Sequence, residues 1–122
     1  MLESLPQITF RNIPHSDALE DAILKRIKRL EKCGGRLISC RVVIDRPQHR
    51  HRQGDLYHVR IDIRLPGTEL IVNRDPEDHH AHEDAYVAVR DSFDAMRRRL
   101  ENYLRKRQRK RVSSFFLHHE IA

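Results

Sequence analysis

Nine histidines in 122 residues are the first chemistry the sequence offers. His49 and His51 stand in one polar stretch and His79, His80 and His82 in another, so two loops could bring imidazoles together on a metal. Neither stretch contains HExxH, and no paired cysteines complete a zinc pattern. Cys33 and Cys40 lack CxxC spacing and read as ordinary reduced thiols. A small metal-dependent hydrolase on these loops is therefore the minor reading, beside a plainer one in which His49, Arg50, His51 and Arg52 form a polar, phosphate-contacting loop. Asp75, Glu77, Asp78, Glu83 and Asp84 could suggest paired carboxylates, yet Glu83 and Asp84 stand where the positive end of a helix favours negative charge. With four glycines in the chain, no phosphate-cradling loop, no G-x-S-x-G and no Ser-His-Asp order, neither a catalytic site nor a resident metal or cofactor is expected.

The cationic signal is stronger. Of the formal charge of +6, residues 1–95 contribute 15 Lys or Arg against 16 Asp or Glu, whereas residues 96–122 hold 9 against 2. Arg97, Arg98 and Arg99 spread positive charge around nearly a full helical turn, and Arg105, Lys106, Arg107, Arg109, Lys110 and Arg111 extend it. A helix face that is merely soluble mixes both signs; here Glu101 is the single acid from Arg97 to Arg111. The pattern points to a polyanion, nucleic acid first. It carries little sequence specificity, because phosphate contacts position a protein without reading bases. Arg26 and Arg29 on an earlier helix, if parallel to the later one, would widen the stripe into a patch; otherwise they belong to a solvated face.

The elements that must position these residues follow from periodicity. Ile8 and Phe10 alternate in a short strand, Gln7 to Arg11. Ser16 or Asp17 can cap a helix whose apolar stripe is Leu19, Ala22, Ile23, Ile27 and Leu30, and Gly34 with Gly35 stops it. Ile38 to Asp45 alternates again, and Arg46 to Asp55 reads as a loop. From Tyr57 to Leu65 the alternation is clean, with His58, Arg60, Asp62 and Arg64 on the wet face. Pro66 and Gly67 then turn the chain into a further strand, Glu69 to Asn73. Asp75 to His82 is a second loop. A long helix begins near Glu83, with Tyr86, Val89, Phe93, Met96, Leu100 and Leu104 at helical spacing and Arg90 among its bases. The order β-α-β-β-β-α predicts an α+β domain over residues 1–109: an antiparallel four-stranded sheet with two helices on one face, leaving Arg60 and Arg64 on the other. Residues 110–122, with Phe115 and Phe116, read as a flexible tail, and as a partner-binding segment in the minority reading. No run approaches the roughly 18 apolar residues of a membrane span, and Met1 to Arg11 lacks a signal-peptide pattern, so a cytoplasmic protein without a membrane partner is expected.

The element order, the hairpin from Leu56 to Gly67, and the segment Glu83 to Leu100, with Asp84-x-Tyr86-x-Ala88 at the start of a basic helix, resemble the hibernation-promoting factor and ribosome-associated inhibitor family over about residues 6–108. That resemblance implies a fold like a double-stranded RNA-binding domain. It implies binding to the small ribosomal subunit, on decoding-region rRNA and beside neighbouring ribosomal proteins. Translation would be blocked by occupying the tRNA and mRNA channel in slow growth or stress, without catalysis. Basic family positions fall on Arg26, Arg29 and Arg98, and Tyr86 corresponds to a helix-start tyrosine that packs. Ala95 stands where many members have Lys, and Gly34 with Gly35 where an aromatic and an acid are common. Long members add a C-terminal domain that pairs ribosomes; no room for one is expected here, and the protein is expected to be monomeric off the ribosome, with no small-molecule substrate. The expected RNA-binding set is Arg26, Arg29, Arg60, Arg64, Arg90, Arg97, Arg98, Arg99, Arg105, Lys106 and Arg109. A structured-RNA-binding module not specific to ribosomes is the nearest alternative.

Overall fold

A computed structural model describes the backbone of residues 2–46, 56–74 and 84–121, with side chains to Asn73 in the central part and to Arg109 at the far end. The histidine loops holding His49, His51, His79, His80 and His82 lie outside the described residues. The elements are β1 (Gln7–Arg11), α1 (Asp17–Glu31), β2 (Ser39–Asp45), β3 (His58–Leu65), β4 (Thr68–Arg74) and α2 (Ala85–Ile121).

One sheet runs β1-β2-β3-β4. The three later strands are antiparallel, but β1 is parallel to β2, with Gln7 opposite Arg41 and Arg11 opposite Asp45. The sheet is therefore mixed, which corrects the all-antiparallel expectation. The cause is α1: the helix carries the chain back along the sheet before β2 begins, and such a crossover delivers its second strand in the same direction as the first.

Alternation fixes which face is dry. Val42, Ile44, Val59, Ile61 and Ile63 are fully buried beneath the helices, whereas Arg41, Arg60 and Arg64 on the same strands are exposed. Leu19, Ile23, Ile27 and Leu30 supply the buried stripe of α1, and Ala88, Val89, Phe93, Met96 and Leu100 that of α2. Ser16 rather than Asp17 caps α1, its Oγ accepting from the Leu19 N–H at 3.2 Å. Asp84 caps α2, its carboxylate accepting from the Tyr86 N–H at 2.8 Å.

Two features of α2 depart from the pattern. Tyr86 falls in the apolar series but is 49% exposed, the neighbouring core positions being filled by Ala85 and Ala88. The helical backbone continues to Ile121, because no Gly or Pro interrupts the chain after Ala85. Its 37 residues make it about 55 Å long at ~1.5 Å per residue.

The helices run parallel. Arg26 meets Asp94 at 3.9 Å, Cys33 feels the charges of Glu101 and Arg97, and a Cβ on Gly35 would lie 2.8 Å from a Leu104 methyl. Arg26–Asp94 and Cys33–Glu101 are each 68 positions apart, Cys33–Arg97 64 and Gly35–Leu104 69, so numbering rises together along both helices.

Candidate nucleic-acid interface

That offset sets Arg29 level with Arg97 and assembles the basic second halves of both helices at one end of the layer. Lys25, Lys28, Arg29 and Lys32 are exposed on α1, and Arg97, Arg98, Arg105, Lys106 and Arg109 on α2. At about 100° per residue, Arg98, Arg105 and Arg109 lie within roughly 40° of one another and point away from the buried Val89, Met96 and Leu100. Arg90 and Arg97 turn towards α1, where Arg26 and Arg29 stand. Arg99 turns the other way, and its guanidinium donates to the Ile71 carbonyl on the outer edge of β4. It covers an otherwise open strand edge.

The partners of these cations are weak ones. Arg26 sits 3.9 Å from Asp94, Arg97 4.0 Å from Glu101 and Arg90 3.3 Å from Asp91. Such solvated pairs contribute about 0–1 kcal/mol each, which a phosphate can displace. Arg105 donates to the amide oxygen of Asn102 at 3.3 Å and has no ion-pair partner among the described residues. Arg98, Lys106 and Arg109 have no ion-pair partner among the described residues.

Arg60 and Arg64 lie across the sheet from this layer. Their face is a shallow trough of about 510 Å³ lined by Gln7, Arg11, Arg41, Asp45, His58 and Arg60, among others. Carboxylates are interleaved with the arginines there: Arg41 is the register partner of Asp62, Arg64 of Glu69 and Arg11 of Asp45, while Arg60 Nε donates to Asp62 at 3.1 Å and Arg41 Nε to Gln7 Oε1 at 3.2 Å. An incoming phosphate would meet carboxylates as well as arginines on this face. Of the eleven residues expected from sequence, the structure thus gathers nine on the helical layer and sets Arg60 and Arg64 apart on a sheet face where Asp45, Asp62 and Glu69 are interleaved with the arginines. Lys25, Lys28 and Lys32, outside the expected set, join the patch; their level with the α2 bases depends on the helix offset, which no local pattern encodes.

Other groups with chemical potential are quiet. Burial, reinforced by the charges of Asp62 and Glu31, pushes the Cys40 thiol up to about 12, and burial also raises Cys33; neither is poised as a thiolate. His15 Nε2 lies 2.9 Å from Asp17 Oδ1 and 3.0 Å from Glu20 Oε2, the one cluster with metal-ligand spacing among the described residues. It is solvated and sits on the first turn of α1, where its interactions are those of a surface ion pair.

Over residues 7–108 the chain matches the family described as sigma 54 modulation protein / S30EA ribosomal protein. The chain belongs to that family. This is the ribosome-hibernation family to which the hairpin and the Asp84-x-Tyr86-x-Ala88 segment pointed. Among solved structures, the S30EA fold is shared with the N-terminal domain of Protein Y from Thermus thermophilus, at 22% identity and a TM-score of 0.63, covering 80% of this chain and 94% of that one. It is shared also with a ribosomal subunit interface protein from Coxiella burnetii, at 17% identity and a TM-score of 0.64, covering 84% and 97%. No curated protein matches the sequence. The S30EA match takes in both helices and the basic end of their layer. No helix among the described residues is long and apolar enough to cross a membrane.

Proposed function

We propose that this S30EA-family protein silences translation by binding the small ribosomal subunit through the basic end of its helical layer. It occupies the tRNA and mRNA channel on decoding-region rRNA during slow growth or stress. The observation that carries this reading is the segregation of charge: parallel α1 and α2 align their bases on one surface, with Arg98, Lys106 and Arg109 free of ion pairs among the described residues, while the opposite sheet face mixes its arginines with Asp45, Asp62 and Glu69. A rigid helix fixes their spacing, about 12 Å from Arg98 to Lys106 and about 4.5 Å from Lys106 to Arg109 at ~1.5 Å per residue, so that several phosphates of one backbone can be met together. The work asked of the protein is occupancy, so no bond need be made or broken. It acts in the cytoplasm as a monomer seated among neighbouring ribosomal proteins, and Arg26, Arg29, Arg90 and Arg97 flank the seam between the helices while Arg60 and Arg64 add little.

The deciding experiment is cosedimentation of the purified chain with empty small subunits at low and high salt, with and without bound mRNA and tRNA. Salt-sensitive binding that mRNA and tRNA diminish is the expected result. Binding undiminished by a filled channel, or binding to free duplex RNA with no retention on subunits, would overturn channel occupancy and leave a general structured-RNA module.

A further inference from the structure

The inward line of α2 ends in an arginine. At about 100° per residue, Arg107 falls within roughly 20° of Met96 and Leu100, both fully buried. It is itself half-buried and has no ion-pair partner among the described residues. A partly desolvated cation with no carboxylate beside it favours the arrival of an anion. Arg107 lines a cleft of about 660 Å³ together with Leu104 and Gln108 of α2, residues 33–36 after α1, and Pro66 of the β3–β4 turn. Two glycines shape one wall. Gly34 and Gly35 hold φ +96° and +78°, the left-handed backbone that ends a helix without the strain a side chain would bring. Gly34 has nothing within 4 Å of where a Cβ would stand, and Gly35 lets Leu104 come against its backbone. On the same wall, Arg36 Nε and Nη2 both lie 2.5 Å from Glu3 Oε1, which holds the guanidinium plane in place.

We propose that this cleft takes one unstacked nucleotide of a bound RNA, an inference that rests on the RNA reading of the basic end and adds to it a contact with a base. The base lies against Leu104 and Pro66 and stacks on the Arg36 guanidinium, while its phosphate pairs with Arg107. The Gln108 amide, donor and acceptor in one group, meets the edge of the base. Composition favours a nucleotide over a lone phosphate, which would leave Leu104, Pro66 and Cys33 facing water. A purely apolar occupant would leave Arg107 unanswered. Arg36 already has a carboxylate in Glu3, so it offers an incoming phosphate little net charge but a fixed, flat surface on which a base of any kind can stack. Lys106 and Arg109 stand either side of Arg107 along the helix, so one RNA backbone can run from the basic patch to the cleft. Phosphate contacts on that patch carry no sequence information; the cleft is the place in this layer where one base is told from another.

The test compares, on the full chain, decamers of adenylate, cytidylate and uridylate with a bare sugar–phosphate decamer of equal charge that lacks bases. At least one intact decamer is expected to bind about five-fold more tightly than the abasic one, the lower end of what a single stacked base contributes. Arg36→Ala with Gln108→Ala should narrow that gap to less than about two-fold without weakening the abasic decamer, whereas Arg107→Ala should weaken both. Urea midpoints matching the parent establish that these variants keep the fold. Cys33 lines the cleft and gives a second readout, since Cys40 is 2% exposed and shielded from reagent. At saturation, the preferred decamer should slow alkylation of Cys33 by iodoacetamide at least about five-fold, and the abasic decamer less than about two-fold. Equal binding of all four decamers, a gap that survives Arg36→Ala with Gln108→Ala, or equal protection of Cys33 by intact and abasic decamers would each overturn the cleft and leave the phosphate-binding patch standing. If no decamer binds even at low salt, the RNA reading falls and the proposal with it.

Discussion

Replacing Arg98 and Arg105 together by Ala is the perturbation whose size can be worked from the geometry. The two side chains lie one above the other on the outward face of α2. Neither has an ion-pair partner among the described residues, so their removal leaves no carboxylate stranded and the loss is confined to phosphate contact. Each phosphate neutralised contributes about 0.7 to 0.9 to the log-log salt slope. Two lost contacts therefore flatten the slope by about 1.4 to 1.8 and weaken binding roughly 25- to 60-fold at 0.1 M salt, with the difference vanishing towards 1 M. Arg60→Ala with Arg64→Ala is the matched control, because the same charge is removed from a face where Asp62 and Glu69 stand beside these arginines; binding should change by less than about threefold. Small-subunit binding measured by filtration or anisotropy from 50 to 500 mM salt gives both the slope and the affinity. If the sheet-face pair proved as costly as the helix pair, or if the Arg98 and Arg105 loss were the same at every salt concentration, the assignment of the interface to the helical layer would be wrong.

Three further outcomes concern the scaffold. Ser92 is 1% exposed and its hydroxyl has no hydrogen-bond partner among the described residues, so Ser92→Ala should raise stability in urea by about 1 kcal/mol, from relief of an unsatisfied buried group and better helix propensity; a loss would show that the hydroxyl is bonded in solution. Gly35 holds φ +78° with Leu104 against it, whereas Gly34 at φ +96° faces open space. Both Ala variants should be destabilised by about 1 kcal/mol for the left-handed backbone, with Gly35→Ala the worse of the two, and equal losses would mean that Leu104 simply swings aside. For Cys40, pushed up to about 12 by burial, the unfolded thiol ionises first as pH rises. Its contribution is complete below the ordinary thiol range and is lost from about pH 9 upward, at up to ~1.4 kcal/mol per pH unit. Cys40→Ala should flatten that part of the stability curve relative to the parent, and an unchanged curve would refute the attribution.

Much of this was legible from residues alone, for identifiable reasons. The β3–β4 hairpin could be read because Tyr57 to Leu65 alternates without a fault and Pro66-Gly67 leaves only a tight turn. Both helices could be read from their stripes, and the run Arg97 to Arg111 announced its charge. The direction of β1 could not be read, since alternation is the same in parallel and antiparallel strands; only the three-dimensional path of α1 decides it. Exposure of Tyr86 was hidden by a helical period that it satisfies, while Ala85 and Ala88 take the inward places. The partition of the arginines was half visible. Periodicity assigned Arg60 and Arg64 to the wet face of β3, but that Glu69, Asp62 and Asp45 stand among the arginines of that face depends on strand register, and the grouping of Arg29 with Arg97 depends on the helix offset.

The parallel pairing of β1 also sets an order in time. Leu65 and Thr68 are register partners across a two-residue turn, whereas Gln7 must find Arg41, 34 positions along the chain. Closing the longer span costs about 2 kcal/mol more in chain entropy at ~0.6 kcal/mol per doubling, and it cannot be completed until α1 has formed between the strands. The hairpin therefore closes early and β1 joins the sheet late. By the same energetics run backwards, the five residues of β1 leave first, so their amides should exchange with solvent well before those of β3, and an N-terminal strand that detaches ahead of the core is where protease would first find this domain open.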